Sequence, residues 1–407
     1  MRFTRGLAAL ALAGLVSSPL AAVTRRMFIS SVAGTGNLST WADAGGYTGL
    51  AAADAICQAR ATAAALPNAI GYRAWLSDSA DDAYCRMHNL TGKRATNCGQ
   101  ATLPASAGPW WRTDGKPFGA GLPALLAPLE QVLHPPLIDE FGSNLHVAGA
   151  WTGTNLEGTA GPQTCANWTS AAPGNPVIDG YADLTSGGWT YAGTTECLAS
   201  NRLYCFETGS GDPLPTFPLW GRLAFVTSAE GTGDLQSWPA AGGATGLAAG
   251  DTICQNLATA AGLRQPAAFK AWLSTSAANA IGRLEQDGAW MRPDGIVVAR
   301  SKQDLTDGFL DSPLNQTETG AYVGGNAIWT GTQMDGFAAA ANCSEWSSTT
   351  GTGEYGLANN VLVAWTSSGA LTCGFAYASL YCLQDLPLIF LDGFESQGLL
   401  AWSVTVP

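Results

Sequence analysis

The chain is 407 residues long and acidic: 19 lysine and arginine residues face 31 aspartate and glutamate residues, which gives a formal net charge of −12. Nucleic acids and other polyanions are bound by clustered Lys and Arg. Because only four residues are lysine, composition argues against such partners. Beyond the first residues no segment is long and apolar enough for a membrane helix, so we expect a soluble protein without a membrane span.

The chain begins with the pattern of a secretory signal peptide. Arg2 and Arg5 supply positive charge, residues 7–16 form a short apolar stretch, and residues 17–22 are mostly small. The apolar stretch is too short to cross a bilayer. We therefore predict a signal peptide at 1–22 and a mature protein that is secreted or held in the cell envelope. High alanine and glycine with few lysines is typical of a bacterial source.

Several stretches of the sequence occur twice in the same order. The matching pairs are 34–41 with 231–238, 49–58 with 246–255 and 73–79 with 270–276, all at an offset of 197 residues. The match continues to Cys205 and Cys382, where the offset has fallen to 177. The first copy therefore carries roughly 20 extra residues, mostly between Cys85 and Pro109. The chain is predicted to contain two copies of one domain.

These matches set the predicted domain boundaries. Repeat 1 spans 24–207, a proline-rich linker spans 208–219, repeat 2 spans 220–384, and a tail spans 385–407. Each repeat is long enough for its own hydrophobic core, so we expect each to fold independently. The linker is expected to act as a semi-stiff spacer, and the protein is expected to be a monomer.

Twelve of the fifteen tryptophans occupy matching positions in the two repeats, for example Trp151 with Trp329. A large ring kept at the same place in two copies of a fold is most simply explained by burial in a shared type of core. We therefore predict that the paired rings form the cores and are not ligand contacts.

The local patterns predict a mixed α+β domain. Each repeat opens with a strand, at 27–31 and 223–227, and repeat 1 continues with an alanine-rich helix at 50–65 that has Thr48 as its N-cap. On this helix Leu50, Ala53, Cys57 and Ala61 fall on one face, which should point Cys57 toward the core.

Further along, the AWLS segments at 74–77 and 271–274 are predicted to form short strands. A second helix should follow each, capped by Ser79 or Ser276. Asp-Gly pairs at 114–115 and 294–295 are typical of hairpin turns. The remainder of each repeat alternates short apolar runs with glycine and serine, which indicates strands joined by long loops.

The ten cysteines are expected to form disulfides, because the protein is expected to be exported. Those that recur between the repeats are Cys57, Cys165, Cys197 and Cys205, and Cys254, Cys343, Cys373 and Cys382. Four cysteines allow three connectivities, and spacing alone does not choose among them. Cys85 and Cys98 have no counterpart in repeat 2, so by elimination they should bond each other. No Cys-x₂-Cys spacing occurs, which disfavours zinc, and we expect no metal and no cofactor.

No catalytic constellation is evident. The three histidines, His88, His134 and His146, all lie in repeat 1. We interpret them as solvent-exposed loop residues, with a catalytic or metal site confined to repeat 1 as the alternative. The carboxylate pairs at 81–82 and 139–140 are neighbours in sequence, and such side chains point apart on a helix or strand, so neither pair alone makes an acid–base dyad.

The order of these features resembles the C-type lectin-like fold, and most closely endostatin, the C-terminal domain of some collagens, and related secreted bacterial domains. The stretches that carry the resemblance in repeat 1 are 53–61, 72–77, 112–115, the WTGT motif at 151–154, 165–168 and 197–205, with matching stretches in repeat 2. The resemblance covers nearly all of each repeat. It implies two tandem domains, each with two helices and a mostly antiparallel sheet, stapled by disulfides.

The resemblance also implies a disulfide pattern. The cysteine of the first helix bonds the last strand, and the two middle cysteines bond each other. The implied pairs are Cys57–Cys205, Cys165–Cys197, Cys254–Cys382 and Cys343–Cys373.

The departures from these families bear on function. Sugar-binding C-type lectins carry Glu-Pro-Asn or Gln-Pro-Asp, and Trp-Asn-Asp, as calcium ligands, whereas this chain has WTY at 189–191 and WTS at 365–367. The histidine cluster and the arginine-rich face of endostatin are also missing. We therefore expect a secreted, non-enzymatic binding or cell-surface interaction protein that does not depend on calcium, with an extracellular glycan or protein as ligand. The alternative is a secreted hydrolase or other enzyme with its site in repeat 1 only.

The tail at 385–407 has no counterpart after repeat 1. Its D-G-F-E-S…A-W-S pattern is similar to an ending found on many secreted bacterial proteins. A final strand packed on repeat 2 is the other interpretation.

Overall fold

The computed structural model describes residues 23–146, 148–174 and 176–387, so the predicted signal peptide and most of the tail lie outside the described residues. Each repeat builds one eight-stranded sheet. The strands of repeat 1 are β1 (Arg25–Ile29), β2 (Tyr72–Ala74), β3 (Trp110–Arg112), β4 (Pro117–Gly119), β5 (Gly149–Trp151), β6 (Pro176–Tyr181), β7 (Gly193–Glu196) and β8 (Arg202–Glu207). Those of repeat 2 are β9 (Arg222–Val226), β10 (Phe269–Ala271), β11 (Trp290–Met291), β12 (Val297–Ala299), β13 (Ala327–Trp329), β14 (Thr352–Leu357), β15 (Gly369–Thr372) and β16 (Ser379–Gln384).

The two sheets have the same strand order. It runs β4-β3-β1-β8-β5-β6-β7 in repeat 1, with β2 also on β8, and β12-β11-β9-β16-β13-β14-β15 in repeat 2, with β10 also on β16. Only β1 with β3, β5 with β8, and their counterparts β9 with β11 and β13 with β16 run parallel among the paired strands described. The prediction of an α+β protein with mostly antiparallel sheets is confirmed. The Asp-Gly hairpins are confirmed as well, between β3 and β4 and between β11 and β12.

The structure contains one long helix in each repeat and more short helices than predicted. They are α1 (Gly49–Ala63), α2 (Ala83–Met87), α3 (Leu122–Leu125), α4 (Cys165–Trp168), α5 (Gly246–Ala260), α6 (Ala280–Arg283) and α7 (Cys343–Trp346). All residues of α4 and α7 have positive φ, so these two elements are single left-handed turns. Short 3₁₀ helices cover Leu38–Thr40, Ala42–Ala44, Ala69–Gly71, Arg94–Gly99, Ser186–Trp189, Leu235–Ser237, Pro239–Ala241, Pro266–Ala268 and Val363–Trp365. Both predicted helices are present in each repeat, α1 and α2 in repeat 1 and α5 and α6 in repeat 2, but the second is short and further short turns accompany them. Within the described ranges, none of the helices has the length and apolar character needed to cross a membrane.

Helix α1 packs its small-residue face against the sheet. Ala53, Cys57 and Ala61 are buried, as predicted. Thr48 precedes the helix in an extended conformation, but its side chain makes no capping hydrogen bond. Asp54 lies on the same helix and accepts a hydrogen bond from Ala74 N at 3.1 Å, so this carboxylate ties α1 to the end of β2.

The second helix starts later than predicted. Helix α2 begins at Ala83 and α6 begins at Ala280. The hydroxyl of Ser77 accepts a hydrogen bond from Ala83 N at 2.8 Å, and Ser274 does the same for Ala280 N at 2.8 Å. The serine of each AWLS segment therefore holds the helix start, because its hydroxyl reaches the first free amide. Ser79 and Ser276, the predicted caps, lie upstream of the helices, and the strands end before the tryptophans of AWLS.

The paired tryptophans are core residues, as predicted. The pairs are Trp41 with Trp238, Trp75 with Trp272, Trp110 with Trp290, Trp151 with Trp329, Trp168 with Trp346 and Trp189 with Trp365, and all twelve rings are buried. One apolar cluster around α1 belongs to repeat 1 and one around α5 belongs to repeat 2. A third cluster contains residues of both repeats, including Trp189 and Trp365. The repeats thus share part of their core, which the expectation of independent folding did not include.

The two repeats meet along a line that we call the seam, formed by residues 183–185 of repeat 1 and 359–360 of repeat 2. Leu184 and Asn360 form an antiparallel bridge, and Thr185 N donates to Asn359 O at 3.0 Å. Beside the seam, Lys116 Nζ lies 2.8 Å from Asp311 Oδ1. Backbone pairing, an ion pair and shared apolar side chains therefore join the repeats.

The linker is not a free spacer along its whole length. Thr208 N donates to Gly71 O at 3.0 Å, Gly211 N to Gly108 O at 2.8 Å, and Asp212 N to Val23 O at 2.9 Å. The first residues of the predicted linker are therefore fixed on repeat 1, and the exposed connection begins after Asp212.

Candidate functional site

All ten cysteines form disulfide bonds. The disulfides are Cys57–Cys205, Cys85–Cys98, Cys165–Cys197, Cys254–Cys382 and Cys343–Cys373. These are the pairs that the resemblance and the elimination argument imply, and each lies within one repeat. No cysteine of the chain is a free thiol, so none is available as a nucleophile.

The histidines do not form a common site. His134 was expected in solvent but is 95% buried (5% exposed), and its Nδ1 lies 2.8 Å from Pro117 O. Burial lowers the pKa of His134 well below its ordinary value, and the nearby Arg112 guanidinium acts in the same direction. The expectation failed because the Pro135-Pro136 turn folds inward against the end of β4. The ring therefore serves as a neutral structural donor.

The other two histidines are held apart from it. His88 is half-buried, its Nδ1 lies 3.0 Å from Tyr84 O, and its Nε2 accepts from Ala107 N at 3.3 Å. Burial lowers the pKa of His88 as well. His146 is exposed, and its ring lies 6.1 Å from that of Phe309 in repeat 2. Among the residues that the structure describes, no group of three or more His, Cys, Asp or Glu side chains is placed to hold a metal ion.

The adjacent carboxylates hold loops in place. Asp82 accepts from Arg94 N at 2.8 Å and from Ala160 N at 2.9 Å. Asp139 accepts from Phe141 N and Ser143 N. Glu140 accepts from Arg60 Nε at 2.7 Å. Each carboxylate is occupied by a loop amide or a guanidinium, which is the role of a turn-forming residue.

In the segments 189–191 and 365–367 the tryptophan and the threonine are buried packing residues. Thr190 Oγ1 accepts from the buried Trp75 Nε1 at 2.8 Å, and Thr366 Oγ1 accepts from Trp272 Nε1 at 2.8 Å. Both threonines are buried. Their side chains satisfy core indoles and do not face a ligand.

An open depression of about 440 Å³ lies in repeat 2, and its lining includes Ser367, the residue after Thr366. It is lined by Gln333, Met334, the alanine run 339–341, Glu354, Val363 and Ser367. Met334 and Val363 are 47% and 40% exposed. Five of the eight lining residues are apolar and three, Gln333, Glu354 and Ser367, are polar, so the depression offers both kinds of contact.

The depression is formed by three chain segments with well-defined backbones. The loop that follows the WTGT motif closes through Gly336 N to Gln333 O at 3.0 Å. Strand β14 supplies Glu354, whose amide donates to Ala341 O at 2.8 Å. The 3₁₀ helix Val363–Trp365 supplies the third side, and it follows directly after Asn360 of the seam.

Glu354 is the single ionisable residue among those that line the depression. The side chain is half-buried, and its Oε1 accepts from Ser367 Oγ at 2.7 Å. None of the ion pairs found between described residues includes Glu354. One oxygen is thus fixed by a hydroxyl, while the carboxylate has no cationic partner within the described chain.

Repeat 1 fills the same place with its own side chains. The equivalent of Glu354 is Ile178, which is buried, and a Cβ at Gly161 would collide with it. The equivalent of Val363 is Gly187, against which Leu156 packs. The Glu130 carboxylate also accepts from Gly187 N at 2.8 Å. Repeat 1 therefore has Ile178 and Leu156 at the place that is open in repeat 2.

The sequence analysis did not identify these residues. Ile178 aligns with Glu354 and Gly187 aligns with Val363, but the stretches around them match at only a few positions, so comparison of the two copies does not single these residues out.

The chain matches no protein-family model and no curated protein.

Proposed function

We propose that this chain is a secreted, non-enzymatic binding protein made of two tandem C-type lectin-like domains, with the depression of repeat 2 as its ligand site. The observation that carries the proposal is the contrast between the copies: a depression lined by apolar and polar residues is open in repeat 2, and Ile178 and Leu156 lie at the equivalent place in repeat 1. The ligand is an extracellular glycan or protein, and the chain acts as a monomer.

Several features support the fold and location within this proposal. The order of elements, the long helix crossed to the last strand by Cys57–Cys205, and the second disulfide in the loop region follow the pattern of the resemblance. Five disulfides without a free thiol suit an oxidising compartment.

The alternative, an enzyme with its site in repeat 1, has less support. His134 is enclosed and hydrogen-bonded to a backbone carbonyl, and His88 has hydrogen-bond contacts at both ring nitrogens. A general base must reach the proton that it removes. Neither ring is placed to do so in its described position. The third histidine, His146, is exposed and lies beside the Phe309 ring of repeat 2.

A blocking substitution tests the proposal. Ala340 lines the depression and is exposed, so Ala340→Trp should fill the depression without disturbing the core. Pro162 is the equivalent exposed position of repeat 1, and Pro162→Trp is the matched control. On arrays of glycans and extracellular proteins, the mature chain and Pro162→Trp should bind the same ligands, and Ala340→Trp should lose them. Equal binding by all three proteins would place the site elsewhere.

A further inference from the structure

Charge identifies the kind of group that the depression of repeat 2 can accept. Glu354 contributes a carboxylate that has no cationic partner among the described residues, in a chain whose net charge is −12. An anionic ligand would meet repulsion there, whereas a cation would gain a charge-assisted hydrogen bond. The available acceptor is Glu354 Oε2, since Oε1 is already bonded to Ser367 Oγ at 2.7 Å.

Most of the residues that line the depression beside that carboxylate are apolar. Met334, Val363 and the alanine run 339–341 line the depression, and Ala339 is 8% exposed. Such walls suit a methylene chain, because an aliphatic stem can lie along apolar surface while its charged end reaches a polar group. Aromatic residues are not among those that line the depression, so the described lining offers no flat ring on which a sugar could stack.

We infer that the depression binds the side chain of a lysine presented by an extracellular protein, through an ion pair with Glu354 and contact of the methylene chain with Met334 and Val363. This inference rests on the proposed function of the site and names its ligand class. A compact ammonium with three donors suits a carboxylate that has one oxygen already bonded. Repeat 1 has buried Ile178 at this position and is expected to show no such binding.

The test uses the oxidised mature chain and saturation-transfer NMR titrations with three probes. They are the acetylated and amidated peptide Gly-Ala-Lys-Ala-Gly, the same peptide with norleucine in place of lysine, and n-butylamine. Norleucine keeps the aliphatic chain and removes the charge. We expect the lysine peptide to bind more tightly than the norleucine peptide by up to about fivefold, the upper end of the range for a partly exposed ion pair. It should also bind more tightly than n-butylamine, because we infer that the natural ligand is a lysine side chain of a protein and not a free amine.

Glu354→Gln should remove the preference for lysine over norleucine and leave norleucine binding unchanged. Glu157→Gln is the matched control: it makes the same charge change at an exposed residue in the corresponding loop of repeat 1, and should keep the preference. Equal binding of lysine and norleucine peptides by the unmodified chain would overturn the inference, as would a preference that survives Glu354→Gln. If n-butylamine bound as tightly as the lysine peptide, the inference that the ligand belongs to a protein would be wrong.

The outcomes separate this inference from the proposed function. If an array ligand without a cationic group is lost in Ala340→Trp and retained in Glu354→Gln, the site is a binding site and the lysine inference is wrong. If Ala340→Trp retains every ligand, the proposed function of the depression itself fails.

Discussion

Leu184 of repeat 1 pairs with Asn360 of repeat 2 in an antiparallel bridge, and the two residues occupy equivalent positions in the duplicated fold. Each stands five residues before a matching tryptophan, Trp189 or Trp365. An antiparallel contact between equivalent residues is the local signature of an approximate two-fold axis, the arrangement of an isologous dimer. The tandem chain therefore carries within itself the type of contact that two separate copies would make.

Separating the repeats should reveal this contact. A fragment spanning 218–387 retains its own cluster around α5 and both of its disulfides, so it should fold. It loses the shared cluster and the seam, and we expect a lower urea midpoint than that of the full chain together with concentration-dependent self-association. Urea unfolding and sedimentation velocity measure these effects. A fragment as stable as the full chain and strictly monomeric would show that the seam contributes nothing.

The disulfides should differ in their contribution to stability according to the loop that they close. Cys57–Cys205 joins residues 148 apart, and Cys85–Cys98 joins residues 13 apart. Restriction of the unfolded chain gives about 5 kcal/mol for the first and about 3 kcal/mol for the second. Replacing both cysteines of each pair by alanine, followed by urea unfolding, compares the two. A greater loss from the Cys85 and Cys98 substitutions would contradict the expectation.

The free energy of unfolding should decrease as the pH is lowered, because of the buried His134. Burial lowers the pKa of His134 in the folded protein, so below about 6.5 the unfolded chain binds a proton that the folded chain does not. The stabilisation present above that pH is then lost at up to about 1.4 kcal/mol per pH unit as pH falls toward the folded pKa. His88, whose pKa is also lowered by burial, adds with the same sign.

Urea unfolding at several pH values between 7.5 and 5 measures this slope. His134→Asn should reduce it. His146→Asn is the matched control, because His146 is exposed, and it should leave the slope as it is. An unchanged slope in His134→Asn would mean that other groups dominate the acid response.

Thr190 and Thr366, which accept hydrogen bonds from buried tryptophans, should stabilise their repeats. Thr190→Val and Thr366→Val each leave a buried indole N–H, that of Trp75 or Trp272, without its acceptor. An unpaired buried donor costs about 1–3 kcal/mol. Urea unfolding should show similar losses for the two variants, while Thr372→Val on the exposed face of β15 should be nearly neutral. A large difference between Thr190→Val and Thr366→Val would argue that the repeats relax differently.

Much of the fold follows from local signals. The long helix with Cys57 inward, the Asp-Gly hairpins and the burial of the paired tryptophans depend on periodicity and turn chemistry that a single stretch of sequence contains. The helix start did not follow, because the capping hydroxyl of Ser77 comes from six residues before Ala83. Such a cap depends on how the intervening loop folds back.

Other features depend on contacts between distant segments. At Cys165–Trp168 and Cys343–Trp346 four consecutive residues have positive φ without a glycine, a conformation that L-residues disfavour. Disulfides and buried tryptophans hold these turns, and no propensity would select them. The depression likewise arises from three separate segments, so no local pattern marks it in the sequence. The burial of His134 depends on how its loop lies against β4.

The seam changes what the exposed part of the linker is needed for. Its residues 213–216 connect two bodies that backbone pairing, the Lys116–Asp311 ion pair and a shared apolar cluster already hold together. Covalent continuity at this point raises the effective concentration of one repeat at the other during folding. After the native state has formed, proteolytic cleavage at 213–216 should leave the two repeats bound to each other. They should co-elute in size-exclusion chromatography and separate only when a denaturant is added.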